Sequence, residues 1–380
     1  MAHIYDYAII GSGLTGLSIA AALSRETKNI ALIEAADVPF GVNRKVNFPT
    51  GPMNNGLRFV PDSVSAEKAL RFLSNLINVE VVQDACEESP ITYEGGNFKP
   101  FLGFGDTPPA FYEEFSYFTG SKRLNLAAEP FQWTQMLFEK FQGDFLPRSY
   151  VTKFHQEGER VSHITINGSK TLHAQNFIFA GTVKDLSLLL PEDAISIRAR
   201  TKLAKNTYWT ALCLDICHAK PVTDSTAMHV LNGTTQDEIG PCVGKFHAPV
   251  ETEGETLQAS QWMTFIEQEV TEDSEVVGMA LKKIKRQIKR AYPEALDNLK
   301  LERIFVAPII AGNGDIKLSA NMTMPELENL WIASATVNDQ KNLLGSLLQA
   351  EMIVASLGFK VEASEETSAP PEETLPEAAL

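Results

Sequence analysis

The chain has 380 residues, of which 44% are hydrophobic and 21% charged, the balance of an ordinary globular protein long enough for two structural domains. Its formal net charge of −15 argues against nucleic acid as a partner. No apolar run approaches the roughly 20 residues that a bilayer crossing needs, so no stable membrane insertion is expected. The first strand begins almost at Met1 and leaves no room for a signal peptide, which makes cytoplasmic residence the expectation. The four cysteines show no C-x-x-C spacing and read as buried thiols. The seven histidines are scattered singly, without metal-ligand spacing. No metal is expected, and the sequence carries no signal for an oligomeric state.

Residues 7–10 form a short apolar run that reads as a buried parallel strand. Gly11-Ser12-Gly13-Leu14-Thr15-Gly16 turns it straight into a helix. Gly11 permits the tight turn, Gly13 lets backbone approach a pyrophosphate, and Gly16 lets helix and strand pack closely. The pyrophosphate then sits on the exposed N–H groups at the positive end of the helix. A second apolar strand, residues 29–33, ends at Glu34-Ala35, where the carboxylate can accept both hydroxyls of an adenosine ribose. That charge also repels a 2′-phosphate. Strand, glycines, helix, second strand and terminal acid fall in register, which makes the pattern far more specific than glycines alone.

Residues 40–60 are rich in Gly, Pro and Asn and read as loop covering a ligand. A helix is expected over 65–76, a hairpin around Gly95-Gly96-Asn97, and a helix over 131–141. Residues 101–118 hold Phe104, Phe111, Tyr112, Phe115, Tyr117 and Phe118, which either line an apolar substrate cavity or fill a core. Strands are expected at 150–154, 161–166, 171–175 and 176–180, the last ending at Ala180-Gly181. Residues 209–266 read as β-rich. Lys282 to Arg290 lie on an amphipathic helix whose basic face is most simply a solvated one. A strand over 301–307 runs into Pro308, and the last structured block contains residues 330–334 and a helix from Gly345 to about 357. The acidic segment 361–380 has six glutamates and no basic residue and is expected to be disordered.

Laid out in this order, the chain resembles the flavin-dependent amine oxidase superfamily, which includes protoporphyrinogen oxidases and phytoene desaturases. Four blocks carry the resemblance over nearly the whole chain. The first is the Gly11, Gly13, Gly16 and Glu34 pattern. Gly41-Val42-Asn43-Arg44 is similar to a Gly-Gly-x-Arg segment whose arginine lies near the FAD phosphates. Tyr150-Val151-x-x-Phe154 is similar to the strand whose valine backbone holds the adenine. Leu330 to Ser334 with Gly345-Ser346-Leu347 is similar to the strand and helix start that face the flavin ring. The block departs from the pattern at Val42, Ala333, Ser334 and Gln349. A serine stands where an acid normally holds the ribityl chain, without the charge assistance that strengthens such bonds.

The resemblance implies an α/β protein with a Rossmann-type FAD-binding domain, a parallel sheet interleaved with an α+β substrate domain. Residues 1–60, 148–190 and 301–360 would form the discontinuous FAD-binding domain, and 61–147 with 191–300 the substrate domain. It implies non-covalent FAD and an oxidoreductase acting on a largely apolar small molecule by hydride transfer to flavin N5. The alternative is an FAD-fold binding protein whose degenerate flavin site supports little or no turnover. An NAD-dependent dehydrogenase is disfavoured, because the other FAD-type blocks follow the first motif. No catalytic residue is assigned. Lys202, Lys205, Trp209, His247 and Trp262 lie on segments that can face the flavin, but packing or surface roles suit them better. The N–H groups after Gly345 are the candidates for stabilising negative charge on reduced flavin.

Overall fold

The computed structural model describes residues 3–106, 108–109, 111–192, 194–232, 241–312, 316–340 and 342–362. β1 (Ile4–Ile10) runs into the glycine-rich turn, α1 (Leu14–Leu23) packs back along it, and β2 (Ile30–Ile33) lies parallel to β1. A 3-10 turn at Gly41–Asn43 leads into a hairpin of Lys45–Phe48 and Gly51–Asn54, where the composition suggested only loop. The hairpin buries Phe48 and Met53 against Cys217, Leu257 and Ala259, partners some two hundred residues away. α2 (Val64–Ile77) is capped by Ser63, whose hydroxyl accepts from the Ala66 N–H at 3.1 Å, and it ends at Asn78 in the left-handed region. α3 (Pro130–Lys140) begins with a proline and a capping box between Glu129 and Gln132. β3 (Asp144–Leu146), β4 (Val151–Glu157), β5 (Arg160–Ile166) and β6 (Lys170–Phe179) follow. Then come β7 (Tyr208–His218), β8 (Glu255–Glu267), α4 (Ser274–Ala291), β9 (Leu299–Gly312), β10 (Leu327–Ile332) and α5 (Asn342–Ser356).

Two sheets carry the molecule. The first has the order β4-β5-β6-β1-β2-β3, with β10 parallel to the C-terminal half of β6. Residues 170–172 of β6 pair antiparallel with β5 and residues 177–179 pair with β10, so one ten-residue strand replaces the two expected. Helices α1, α2, α3 and α5 share one core around Leu17, Leu73, Trp133, Leu344 and Leu347. All ten residues of α1 are buried, so it has no polar face to turn outward. Each large apolar side chain fully removed from water there contributes about 1.5–3 kcal/mol.

The second sheet has the order β9-β7-β8, continued by Cys242–Phe246, His229–Leu231, Ile91–Glu94 and Asn97–Pro100. Its two faces separate by the period of two that strands impose. Along β7, Leu212, Leu214 and Ile216 join the core under α4, while Ala211 and Cys213 join the opposite core with Leu57, Phe115 and Met263. α4 turns Ala280, Ile284 and Ile288 to the sheet, and Lys285 and Lys289 pair with Glu302 and Asp297. β9 continues beyond Pro308, because a bulge sets Ala307 opposite Ala211 and Ala311 opposite Trp209, which spares the proline a ladder donor.

Particular elements pair across the expected domain ranges. β3 lies within 61–147 but hydrogen-bonds to β2, and α2 and α3 share the core of α1 and α5. The approach to β2 is tight: a Cβ on Gly143 would lie 2.3 Å from the Ile30 carbonyl oxygen. β9 lies within 301–360 but pairs with β7 in the second sheet. Of the expected acidic tail, Val361 packs against the first core; residues 363–380 lie outside the described residues. Among the described residues no helix is long and apolar enough to cross a membrane.

Candidate functional site

The glycine-rich turn is held by backbone. Gly11 has φ +104°, and Ala180 donates its N–H to the Ile10 carbonyl at 2.8 Å behind it, with Gly181 next in the chain. A Cβ on Gly16 would sit 1.9 Å from the Gly11 carbonyl oxygen, so helix and turn meet in a way only glycine allows. Gly13 differs: nothing lies within 4 Å of where its Cβ would be. The turn does not need glycine there for its own packing, and the open face over Gly13 suits a phosphate group laid against the backbone. Gly13 is also the N-cap of α1 and supplies no side-chain bond, so the positive end of the helix is left for an anion. Leu14 and Thr15 form its first turn, with side chains buried.

Glu34 braces this turn. One carboxylate oxygen accepts from the Ser12 N–H at 3.0 Å and hydroxyl at 2.6 Å, and the other from the Ala36 N–H at 2.9 Å. Ala35 beside it is exposed. Three of about four acceptor positions on the carboxylate are in use. A bidentate ribose contact therefore requires the Ser12 hydroxyl to turn away. The chain after β3 closes on the same corner: Ser149 donates to the Glu34 carbonyl at 2.8 Å and Arg148 to the Ala36 carbonyl at 3.0 Å. This brings Val151, two residues on, beside the acid. The first and third blocks are thus adjacent in space.

A cavity of about 120 Å³ lies between the two sheets. Its floor is Ala211 and Cys213 of β7, Met263 of β8 and Ala307 of β9. Leu57, Phe59, Tyr117 and Phe118 wall one side; Val42, Asn43, Ala335, Thr336, Asn342, Leu343 and Ser346 wall the other. The aromatic stretch divides between a cavity wall and a core. Tyr117 and Phe118 line the cavity, whereas Phe111 and Phe115 pack on Phe265 at ring separations of 5.4 and 5.9 Å.

The C-terminal block reaches this cavity with corrections. α5 begins at Asn342, not Gly345, so the N–H groups after Gly345 lie inside the helix. Gly345 serves packing instead: a Cβ there would lie 2.0 Å from the Gln340 carbonyl oxygen. Ser346 lines the cavity, but the Leu347 side chain is fully buried in the core with α1. The Ser334 side chain is buried as well, and its hydroxyl pairs with that of Thr336 at 2.8 Å. Thr336, not Ser334, meets the cavity. Gln349, which departs from the resembled pattern, uses its amide to donate to the Ile332 carbonyl at 2.9 Å and ties α5 to β10.

Arg44 is exposed at the end of the 3-10 turn and is not on the cavity wall. The arginine there is Arg58, to which the sequence reading gave no role. Its Nε donates to Asn43 Oδ1 at 2.9 Å, Nη2 to the Val42 carbonyl at 2.7 Å and Nη1 to the Leu57 carbonyl at 2.9 Å. Burial pushes its pKa below the ordinary value, opposed by the thiol of Cys213 and the carboxylate of Asp215. Beneath it lies a polar row: Asp215 faces Gln261 across one strand and Arg303 across the other. Asp215 accepts from Gln261 Nε2 at 3.1 Å and Arg303 Nη1 at 2.8 Å, and Arg303 also donates to Asn55. Burial pushes the Asp215 carboxyl up, and those two donors pull against it. Burial pushes the Cys213 thiol up to about 12, so it stays neutral.

The remaining candidates stay away from the cavity. Lys202 and Lys205 are exposed, Trp209 stacks edge-on against Phe111, and Trp262 faces Phe246 and His229 in the core under α4. His247 supports the polar row through Gln261 at 3.2 Å, and burial lowers its pKa to about 4. Cys213, Cys217 and Cys242 are buried thiols, but Cys86 is half-buried. The histidines are not all solitary: His155 stacks on His163 at 4.1 Å, with His173 at 5.3 Å from His163. These three alternate along neighbouring strands, a proximity that sequence spacing does not reveal.

Residues 9–76 match the family described as the NAD(P)-binding Rossmann-like domain. No curated protein sequence matches the chain. Solved structures match it along nearly its whole length. An oxidoreductase from Methanosarcina mazei is 13% identical over 92% of this chain and 99% of its own, with a TM-score of 0.65. Cyclohexylamine oxidase from Brevibacterium oxydans is 13% identical over 93% and 99%, with a TM-score of 0.63. A reduced UDP-galactopyranose mutase is 13% identical over 94% and 96%, with a TM-score of 0.65. The chain is thus an α/β protein with a Rossmann-type domain. More particularly, it shares over nearly its whole length the fold of those three solved proteins.

Proposed function

We propose that the protein is an FAD-dependent oxidoreductase that oxidises a largely apolar small molecule. The observation that carries this reading is the continuity of two features: an open phosphate-binding turn at Gly13, and an apolar cavity roofed by the Thr336 and Asn342–Ser346 segment. Gly11, Ser12, Gly13, Glu34 and the backbone of Val151 would hold the adenosine and phosphates. Thr336, Asn342, Leu343 and Ser346 would border the ring. Bound FAD would supply hydride acceptance at N5. The chain's own contribution is positional. Leu57, Phe59, Phe118 and Met263 exclude water and hold an apolar body against the roof, where a loss of about 1 Å in position can cost roughly a hundredfold in rate. The N-terminal N–H groups of α5 would face developing negative charge.

A binding protein without turnover is the second reading, and one observation favours it. Ser334 is buried and satisfied by Thr336, so no carboxylate stands where the resemblance places one. The visible spectrum of purified protein, with chromatography of the heat-released nucleotide, tests the cofactor. A protein that stays colourless after incubation with FAD contradicts the proposal. Photoreduction followed by reoxidation in air separates the two readings: complete bleaching and recovery support the oxidoreductase, and a bound flavin that cannot be reduced supports the binding protein.

A further inference from the structure

The cavity wall is largely apolar, its polar groups are neutral except one, and that charge, at one corner, has the opposite sign to what an amine would need. The lining includes one formal cation, Arg58, and no carboxylate. Asp215 is the buried acid nearby, and it is already held by Arg303. The pair of arginines thus faces a single acid and leaves one positive charge in excess. Arg58 has five N–H groups in a planar fork, and its partners use three of them. All three partners are neutral oxygens. No carboxylate lies within ion-pair distance of Arg58 among the described residues. A half-buried guanidinium without an ionic partner is costly, and a ligand anion would offset that cost.

A second group points to the same corner. The Tyr117 hydroxyl is buried, lines the cavity and has no hydrogen-bond partner among the described residues. Burial pushes its pKa up and Arg58 pulls against this, so it stays a neutral donor. Among the unpaired buried hydroxyls of the described residues, that of Tyr117 stands on the cavity wall, where a ligand can supply its acceptor.

We propose that Arg58 and Tyr117 form a carboxylate-recognising corner, so that the substrate is an amphipathic anion with an apolar or aromatic body and not a cationic amine. This rests on the reading of the cavity as the substrate site. It runs against a simple transfer from cyclohexylamine oxidase, whose name specifies an amine. The carboxylate would accept from the two remaining Arg58 N–H groups and from the Tyr117 hydroxyl, while its body lies on Ala211, Met263 and Phe118. Charge-assisted bonds to a planar fork favour an anion over the neutral isostere by at least about tenfold.

Calorimetric titration of the protein as purified with 2-naphthoate, 2-naphthamide and 2-naphthylmethylamine tests this. The acid is expected to bind at least about tenfold tighter than the amide, and the amine weakest. R58Q should abolish the acid's advantage, R58K should keep part of it, and Y117F should weaken the acid several-fold without changing the amide. Because Arg58 also tethers Val42 and Asn43, thermal unfolding of each variant is measured alongside; Y117F and R58K decide the matter if R58Q does not fold. An acid that does not bind, an amide or amine that binds as well as the acid, or a Y117F protein with unchanged preference overturns the proposal. Flavin content is recorded separately. A colourless protein that still prefers the acid defeats the oxidoreductase reading alone. A yellow protein without the preference defeats the carboxylate corner alone.

Discussion

The turn at Gly13 and the cavity under Thr336, the two ends of the proposed site, are built by different means. At the turn, a stretch of six residues does nearly everything with backbone: a left-handed Gly11, the close approach at Gly16 and an uncapped helix end. At the cavity, side chains arrive from eight separated segments between Val42 and Ser346, and each is placed by the packing of a sheet or helix elsewhere. The lesson is that a backbone site tolerates little change in sequence, while a side-chain site can keep its shape as its chemistry drifts. The departures at Ser334 and Gln349 fall at the second end, and in both cases a local hydrogen bond satisfies the new side chain.

The largest expected effect breaks the first end. In Gly16→Ala the new Cβ would meet the Gly11 carbonyl oxygen at 1.9 Å, so the turn must open; a loss of about 3 kcal/mol or more is expected in chemical denaturation. Gly13→Ala provides the contrast. Its Cβ enters open space, so the unfolding midpoint should hold while flavin retention falls at least about a hundredfold. Equal destabilisation by both substitutions would show that Gly13 serves the fold and not a ligand.

Acid should break the second end. His229 and His247 are buried near the second sheet, and burial lowers the pKa of each to about 4. With an unfolded value near 6.5, protons bind the unfolded chain first as pH falls. Stability is therefore full above about pH 6.5 and is lost progressively from there down to about pH 4. At pH 5 the loss is about 2 kcal/mol for each histidine. Urea unfolding across this window should show the decline. A stability unchanged between pH 7 and pH 5 would mean that these imidazoles are not buried neutral.

The smallest effect sharpens the account of the ring's anchor. Thr336→Val should weaken flavin binding a few-fold, because Thr336 meets the cavity, whereas Ser334→Ala should change it less. Fluorescence titration with FAD reads both. The reverse order would return the anchor to Ser334.

The same contrast explains what was legible in the sequence. The Gly11–Gly16 turn, Glu34, α1, α2, the hairpin at Gly95-Gly96 and the amphipathic α4 follow from local rules of conformation and period, and all are present. Local rules hid the three-residue β3, which exists because Gly143 lets the chain lie against β2, and the continuation of β9 through Pro308, which needs a bulge opposite β7. They also placed the start of the last helix three residues late, since Gly345 reads as an N-terminal signal but is required by the approach of Gln340. Arg58 falls within the ligand-covering stretch 40–60, yet its surroundings depend on Cys213, Asp215 and Tyr117, which the chain brings together only on folding. The cavity floor gave no sequence signal, because Ala211, Met263 and Ala307 are ordinary strand residues until they share a face.

The central claim is that one ligand spans both ends of the site. Equilibrium binding of FAD and of ADP to flavin-free protein tests it most directly, since ADP carries the adenosine and phosphates and lacks the ring. If the ring adds contacts under Thr336 and Ser346, FAD binds at least about a hundredfold tighter than ADP, a difference of about 2.7 kcal/mol. If FAD and ADP bind with equal affinity, the cavity does not receive the ring and the account is wrong.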